Sequence, residues 1–128
     1  MIEFFNPPDA PAPGAFSRAT RAAGLVFVSG TSAGFGAVAA AATAAEQTRL
    51  AIENVAAILR AAGSSLERVV QVTLLITDPA DYQEINAEYV RHFPGGLPAR
   101  HTARFGVPTT AKVAFACIAL ADDARGSA

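Results

Sequence analysis

From Lys112 to Leu120 the chain reads Lys-Val-Ala-Phe-Ala-Cys-Ile-Ala-Leu, with no polar side chain after the lysine. A strand with one face in water alternates apolar and polar residues, because successive side chains point to opposite faces. This run does not alternate, so it reads as a strand covered on both sides. No other feature constrains the fold as tightly: a sheet must form around this strand, and both of its faces need cover.

The other segments supply the sheet. Met1–Phe5 is a short first strand, and Asn6–Gly14 is a Pro/Gly-rich arm. Ala15–Thr20 and Leu25–Ser29 flank Ala22-Ala23-Gly24, which predicts a hairpin. Thr43-x-x-Glu46 is a capping box opening a helix whose Thr48, Ile52, Val55, Ile58, Leu59 and Ala62 recur at three- and four-residue steps. Gly63 supplies the left-handed position after its last turn. Val69–Ile76 is a strand with Val70, Val72, Leu74 and Ile76 on one face. Thr77-Asp78-Pro79 then opens a second helix with an apolar stripe of Tyr82, Ile85, Tyr89 and Phe93, ending at Pro94-Gly95-Gly96. Pro98–Phe105 precedes the apolar run as one more strand. The order predicts one α+β domain over residues 1–128, a mixed sheet with two helices on one face and a polar tail at 122–128.

The opposite face of that sheet has no chain left to cover it. Composition points the same way: 52% of the residues are hydrophobic and only 16% are charged, against about 25% charged in an average domain. Thirty alanines account for part of the excess. The remainder predicts that a partner subunit covers some surface.

Several functions are disfavoured. The net charge is −1 and no Lys/Arg cluster exists, which argues against nucleic acid. Cys117 is the sole cysteine, and His92 and His101 lie apart in sequence, so neither a disulfide nor a metal site is expected. Residues 22–45 carry no charge, but their glycines, serines and threonines argue against a membrane span. Glu3 and the early prolines argue against a signal peptide, and a cytoplasmic location is expected. Gly34-Phe-Gly36-Ala-Val-Ala39 matches G-x-G-x-x-A, yet the nearest acidic residue downstream at a suitable distance, Glu53, falls inside the capped helix, so a glycine loop is the simpler reading.

Cys117 reads as a small buried hydrophobe, and Ser29 lacks the G-x-S-x-G setting of a nucleophile. His92 sits at a helix end, where the helix dipole gives it an ordinary role. His101 is either a polar strand residue or a site residue. The informative segment is Pro98-Ala-Arg100-His-Thr102, where an arginine opens a strand after a Gly/Pro loop. Such a planar fork either binds a carboxylate or pairs with a nearby acid on the surface.

The chain resembles the RidA family, also called YjgF/YER057c/UK114, over residues 12–121. The resemblance rests on Leu25-Val-Phe-Val-Ser-Gly30, Gln47-Thr-Arg-x-Ala51-x-Glu53-Asn54-Val55 and Ala61-Ala-Gly63-Ser-Ser-Leu66. It continues through Val70-x-Val72-x-x-x-Ile76-Thr-Asp78, Asn86-x-x-Tyr89, Phe93 and Pro98-Ala-Arg100. It implies a chorismate-mutase-like fold, a homotrimer with clefts between subunits, and cofactor-independent hydrolysis of enamines or imines to 2-keto acids and ammonia. Arg100 matches the family's carboxylate clamp, Gly30 the glycine facing the reacting centre, and Asn86 a residue bordering the site. Thr102 stands where members carry Cys, Ser or Thr. Ser29, Thr31, Phe16 and Ala114 complete the implied lining.

The departures bear on chemistry. Phe16 replaces the tyrosine of typical deaminases, and Thr31 replaces a glutamine. Ala114 and Ala116 take the places of two glutamates, one of which orients the water. The loop from Arg100 to Pro108 is one residue short of the usual pattern. Losing a general base typically costs about 10²–10⁴-fold in rate. The expectation is a RidA-like deaminase with a more apolar cleft and a divergent small-carboxylate substrate. The alternatives are a specialised pathway enzyme on the same scaffold or a non-catalytic carboxylate binder. A ribonuclease reading has neither a basic groove nor a histidine pair behind it.

Overall fold

The computed structural model describes residues 1–8, 14–34, 42–106 and 109–122. Most of the glycine motif after Gly34, most of the N-terminal arm, Pro108 and the tail beyond Asp122 lie outside the described residues. The described strands are β1 (Glu3–Phe5), β2 (Ala19–Ala22), β3 (Leu25–Thr31), β4 (Val69–Ile76), β5 (Ala99–Arg104) and β6 (Val113–Leu120). The helices are α1 (Ala44–Ala61) and α2 (Tyr82–Tyr89), with short 3-10 turns beside them.

The apolar run becomes β6, an interior strand of a six-stranded sheet ordered β1-β2-β3-β6-β4-β5. It runs antiparallel to both neighbours, while the β4–β5 pair at the edge is parallel. One side of β6 is buried as expected: Val113, Phe115 and Cys117 join Val26 and Val28 of β3 and Val72, Leu74 and Ile76 of β4 under the helices. Helix α1 brings Ala51, Ile52, Val55, Ile58 and Leu59 to this core. The other side is only partly covered by the described residues: Ala114 is buried, but Phe27 and Leu120 stay 39% and 46% exposed there.

Local chemistry explains the α1 boundaries. Thr43 Oγ1 accepts from the Glu46 amide at 3.1 Å and Glu46 returns the bond to the Thr43 amide at 2.8 Å, completing the capping box. Those bonds hold the Glu46 carboxyl below its ordinary pKa. Past the helix, Gly63 takes φ +82, and a Cβ there would collide with the Arg21 guanidinium. The β2–β3 hairpin turns on Ala23 and Gly24, both at positive φ (54° and 78°), the pairing that tight two-residue turns demand.

Some expectations need correction. Strand β2 begins at Ala19, later than the Ala15 start expected from the sequence. Val70 leaves the buried face because the β4–β6 register shifts between Val69 and Gln71, and it is 43% exposed. Helix α2 is shorter than its stripe predicts, giving way to a 3-10 turn over Val90–His92. Ile85, Tyr89 and Phe93 of that stripe are buried, but Tyr82 is exposed.

Candidate active site

Arg100 is paired with Val72 in the parallel β4–β5 ladder, so it points to the helix-covered face at the sheet's edge, beside α2. Tyr89 makes a floor for it. That ring stacks on Phe115 with centroids 5.9 Å apart and tilts against Phe93 at 4.9 Å. The guanidinium carbon of Arg100 lies 4.8 Å from the Tyr89 centroid and 5.7 Å from that of Tyr82, both within cation–π range. Its Nη2 donates to the Tyr82 hydroxyl at 3.0 Å. Among the described residues no carboxylate comes within 4.0 Å of Arg100, so the surface ion pair that was one reading of this arginine is not formed.

Asn86 follows Tyr82 by one helical turn, and Thr102 follows Arg100 by two strand positions on the same face. The Asn86 amide, the Arg100 charge and hydrogen bond, and Thr102 all favour the ionised Tyr82 phenol and hold its pKa below the ordinary tyrosine value. Burial pushes Tyr89 the opposite way, partly offset by Arg100. Two polar atoms here, Asn86 Oδ1 and the Tyr89 hydroxyl, are buried with no hydrogen-bond partner. Unsatisfied buried groups are costly and rare, and these two lie beside a guanidinium that has no carboxylate partner among the described residues.

The remaining sequence candidates lie elsewhere. Gly30, Ser29 and Thr31 belong to β3, three strand positions from β5 and so about 14 Å away across the sheet. Ser29 donates to the Ser17 carbonyl and Thr31 to the Ser29 carbonyl, each at 2.7 Å, so both hydroxyls shape this stretch of backbone. A Cβ on Gly30 would meet only Leu75 Cδ1 at 4.0 Å, so nothing inside the chain demands a glycine there. Phe16 is exposed, and Ala114, paired with Leu75, is buried with 1% exposure. A single chain therefore joins Arg100, Thr102 and Asn86 but not the β3 group.

His101 faces the other side of the sheet, bonded to Gln71 at 3.1 Å through Nδ1 and to Thr73 at 3.0 Å through Nε2. It reads there as a polar strand residue apart from the Arg100 cluster. His92 is held by Glu88 at 2.7 Å, a closer partner than the helix dipole. The Cys117 thiol is buried and its pKa is pushed up to about 12 by desolvation, leaving it inert at neutral pH. No group of three or more His, Cys, Asp or Glu suited to a metal occurs among the described residues, and no helix there is long and apolar enough to cross a membrane. Tyr82 is the residue that sequence reasoning missed. Its place in an apolar stripe suggested core, although its four-residue step to Asn86 also set both on one helix face.

The chain matches the family model described as Endoribonuclease L-PSP over residues 7–121. It is 40% identical over 110 residues to the protein mmf2, mitochondrial, of Schizosaccharomyces pombe, covering 83% of this chain and 87% of that one. It is 33% identical over 112 residues to Reactive Intermediate Deaminase A, chloroplastic, of Arabidopsis thaliana, covering 83% of this chain and 58% of that protein. The structure of E. coli TdcF with bound serine superposes with a TM-score of 0.80 at 28% identity, covering 94% of this chain and 99% of that one. By family match, sequence and fold, the chain belongs to the RidA/YjgF family of reactive-intermediate deaminases.

Proposed function

We propose that this protein hydrolyses small carboxylate-bearing imines or enamines to 2-keto acids and ammonia, with Arg100 as the carboxylate clamp. The observation that carries the reading is the state of Arg100: it is aimed by two aromatic rings and a phenol, yet has no carboxylate partner among the described residues. A relative named for reactive-intermediate deamination and a related structure holding serine, itself a small carboxylate, support the same class of ligand.

An imine carbon is already electrophilic, so the site needs chiefly to fix the carboxylate, exclude competing orientations and bring water to C2. Arg100 meets the first need through a bidentate fork. Asn86 and Thr102 border the same space through their contacts with the Tyr82 hydroxyl.

The cleft is completed by a second copy of the chain in a homotrimer. Two features support this: the exposed apolar sheet face with Phe27 and Leu120, and the exposure of Gly30, where a Cβ would meet nothing in the chain nearer than 4.0 Å. In that assembly Gly30, Ser29, Thr31 and Phe16 of one subunit meet Arg100, Thr102 and Asn86 of the next. Phe16, exposed on its own chain, makes the lining apolar and favours substrates with larger apolar side chains. A cofactor has no part in this reading.

The test is ammonia release from freshly generated 2-iminobutyrate. Wild-type protein is expected to accelerate it, and Arg100→Ala to reduce kcat/KM at least 100-fold, about 3 kcal/mol of transition-state binding. Equal activity of the two proteins contradicts the clamp. Binding of 2-oxobutyrate without turnover by the wild type favours a binding protein instead.

A further inference from the structure

A deaminase needs a group that moves protons, and the acids expected for that work are absent from β6, where Ala114 and Ala116 stand. Within reach of Arg100, the described residues offer one exposed titratable group, the Tyr82 hydroxyl. It accepts from Arg100 Nη2 at 3.0 Å, so a carboxylate gripped by that guanidinium has its C2 and nitrogen beside the phenol. Tyr82 is 39% exposed, which leaves it open to substrate. The Asn86 side chain, one helical turn on, bonds the same hydroxyl and holds it in place.

We propose that Tyr82 is the catalytic acid–base residue of this site, an inference that rests on the imine-hydrolase reading above. The phenol gives its proton to the imine nitrogen as water attacks C2. The C–O bond forms, the C=N π pair becomes the new N–H bond, and the phenolate takes the proton released by the water. The regenerated phenol then protonates the amine of the carbinolamine. The C–N bond breaks, ammonia leaves, and the phenolate removes the hydroxyl proton as the C=O bond of the keto acid forms. Arg100 stabilises the transient phenolate and carries the substrate carboxylate with its remaining donors.

The charged and titratable groups facing Tyr82 are Arg100 from β5 and, through Arg100, Tyr89 from α2. The Tyr82 phenol is therefore the group expected to titrate in this space. It is held in its more acidic range by Asn86, Arg100 and Thr102, so activity falls on the alkaline side below the ordinary tyrosine pKa.

The experiment compares wild type with Tyr82→Phe, which keeps the ring under the guanidinium. Steady-state ammonia release from 2-iminobutyrate is measured across pH, and binding of 2-oxobutyrate by calorimetry. The expected result is a fall in kcat of about 100-fold or more, loss of the alkaline limb, and keto-acid affinity within about threefold of wild type. The retained binding shows that the variant is folded. Unchanged kcat in Tyr82→Phe overturns this inference and leaves the deaminase reading standing. A raised KM with unchanged kcat assigns the hydroxyl to binding and overturns it equally. Wild-type protein that binds 2-oxobutyrate but releases no ammonia overturns the deaminase reading, and the acid–base role with it.

Discussion

Arg21 and Arg100 are arginines on opposite flanks of the same sheet, and their surroundings differ. Arg21 Nη1 donates to the Ala62 carbonyl and Nη2 to the Asp122 carbonyl, each at 3.0 Å, while Nε lies 3.7 Å from Glu3. Its donors are spent closing the end of α1 and the end of β6 onto the hairpin. Arg100 has two aromatic rings and a neutral phenol instead, which orient the guanidinium without cancelling its charge. A structural arginine has its capacity used within the fold, whereas a binding arginine is positioned and left electrostatically unsatisfied. Exposure alone does not separate the two.

The largest effect that can break this contrast is on activity. Arg100→Ala is expected to lose at least about 100-fold in kcat/KM while its unfolding midpoint in urea stays near wild type. Arg21→Met should do the reverse. Losing its charge-assisted bonds to two carbonyls costs about 2 kcal/mol of stability by urea denaturation, with kcat per folded protein unchanged. If Arg21→Met lowers kcat as much as Arg100→Ala does, the distinction between the two arginines fails.

Gly63→Ala probes the Arg21 corner from the other side. It strains a left-handed backbone and pushes a methyl into the guanidinium, so it should cost about 1–2 kcal/mol, of which the clash but not the backbone strain disappears once Arg21 is already Met. Additive losses in the double variant would show that the two do not share one contact.

The smallest effect is at the far end of α1. Thr43→Ala should cost about 1 kcal/mol at neutral pH by thermal unfolding. The Glu46 carboxyl has a folded pKa lower than its unfolded one, so its stabilisation is present above the ordinary glutamate range and is lost as pH falls through the lowered value. The deficit of Glu46→Ala should therefore shrink in acid, and a constant deficit down to pH 2 would contradict the capping box.

Much of the fold was legible because local chemistry and burial agreed. The capping box, Gly63, the Ala23-Gly24 turn and the alternation in β4 each specified a local geometry that packing then used. Val70 escaped because a bulge has no signature in apolar spacing. The interior place of β6 was readable from its composition, and among the described residues Phe27 and Leu120 stay exposed on its second face. In the candidate site, Arg100, Thr102 and Asn86 were found through family pattern and strand position. Tyr82 was hidden because a half-exposed aromatic at the margin of a helical stripe looks like core until the edge strand is laid beside it.

The role of Arg100 as a carboxylate clamp can be observed. A crystal structure of the protein soaked with 2-oxobutyrate tests it directly. The carboxylate is expected on the Arg100 guanidinium, with the keto carbon beside the Tyr82 hydroxyl and Thr102. A keto acid seated elsewhere, with Arg100 still bonded to Tyr82 alone, contradicts it.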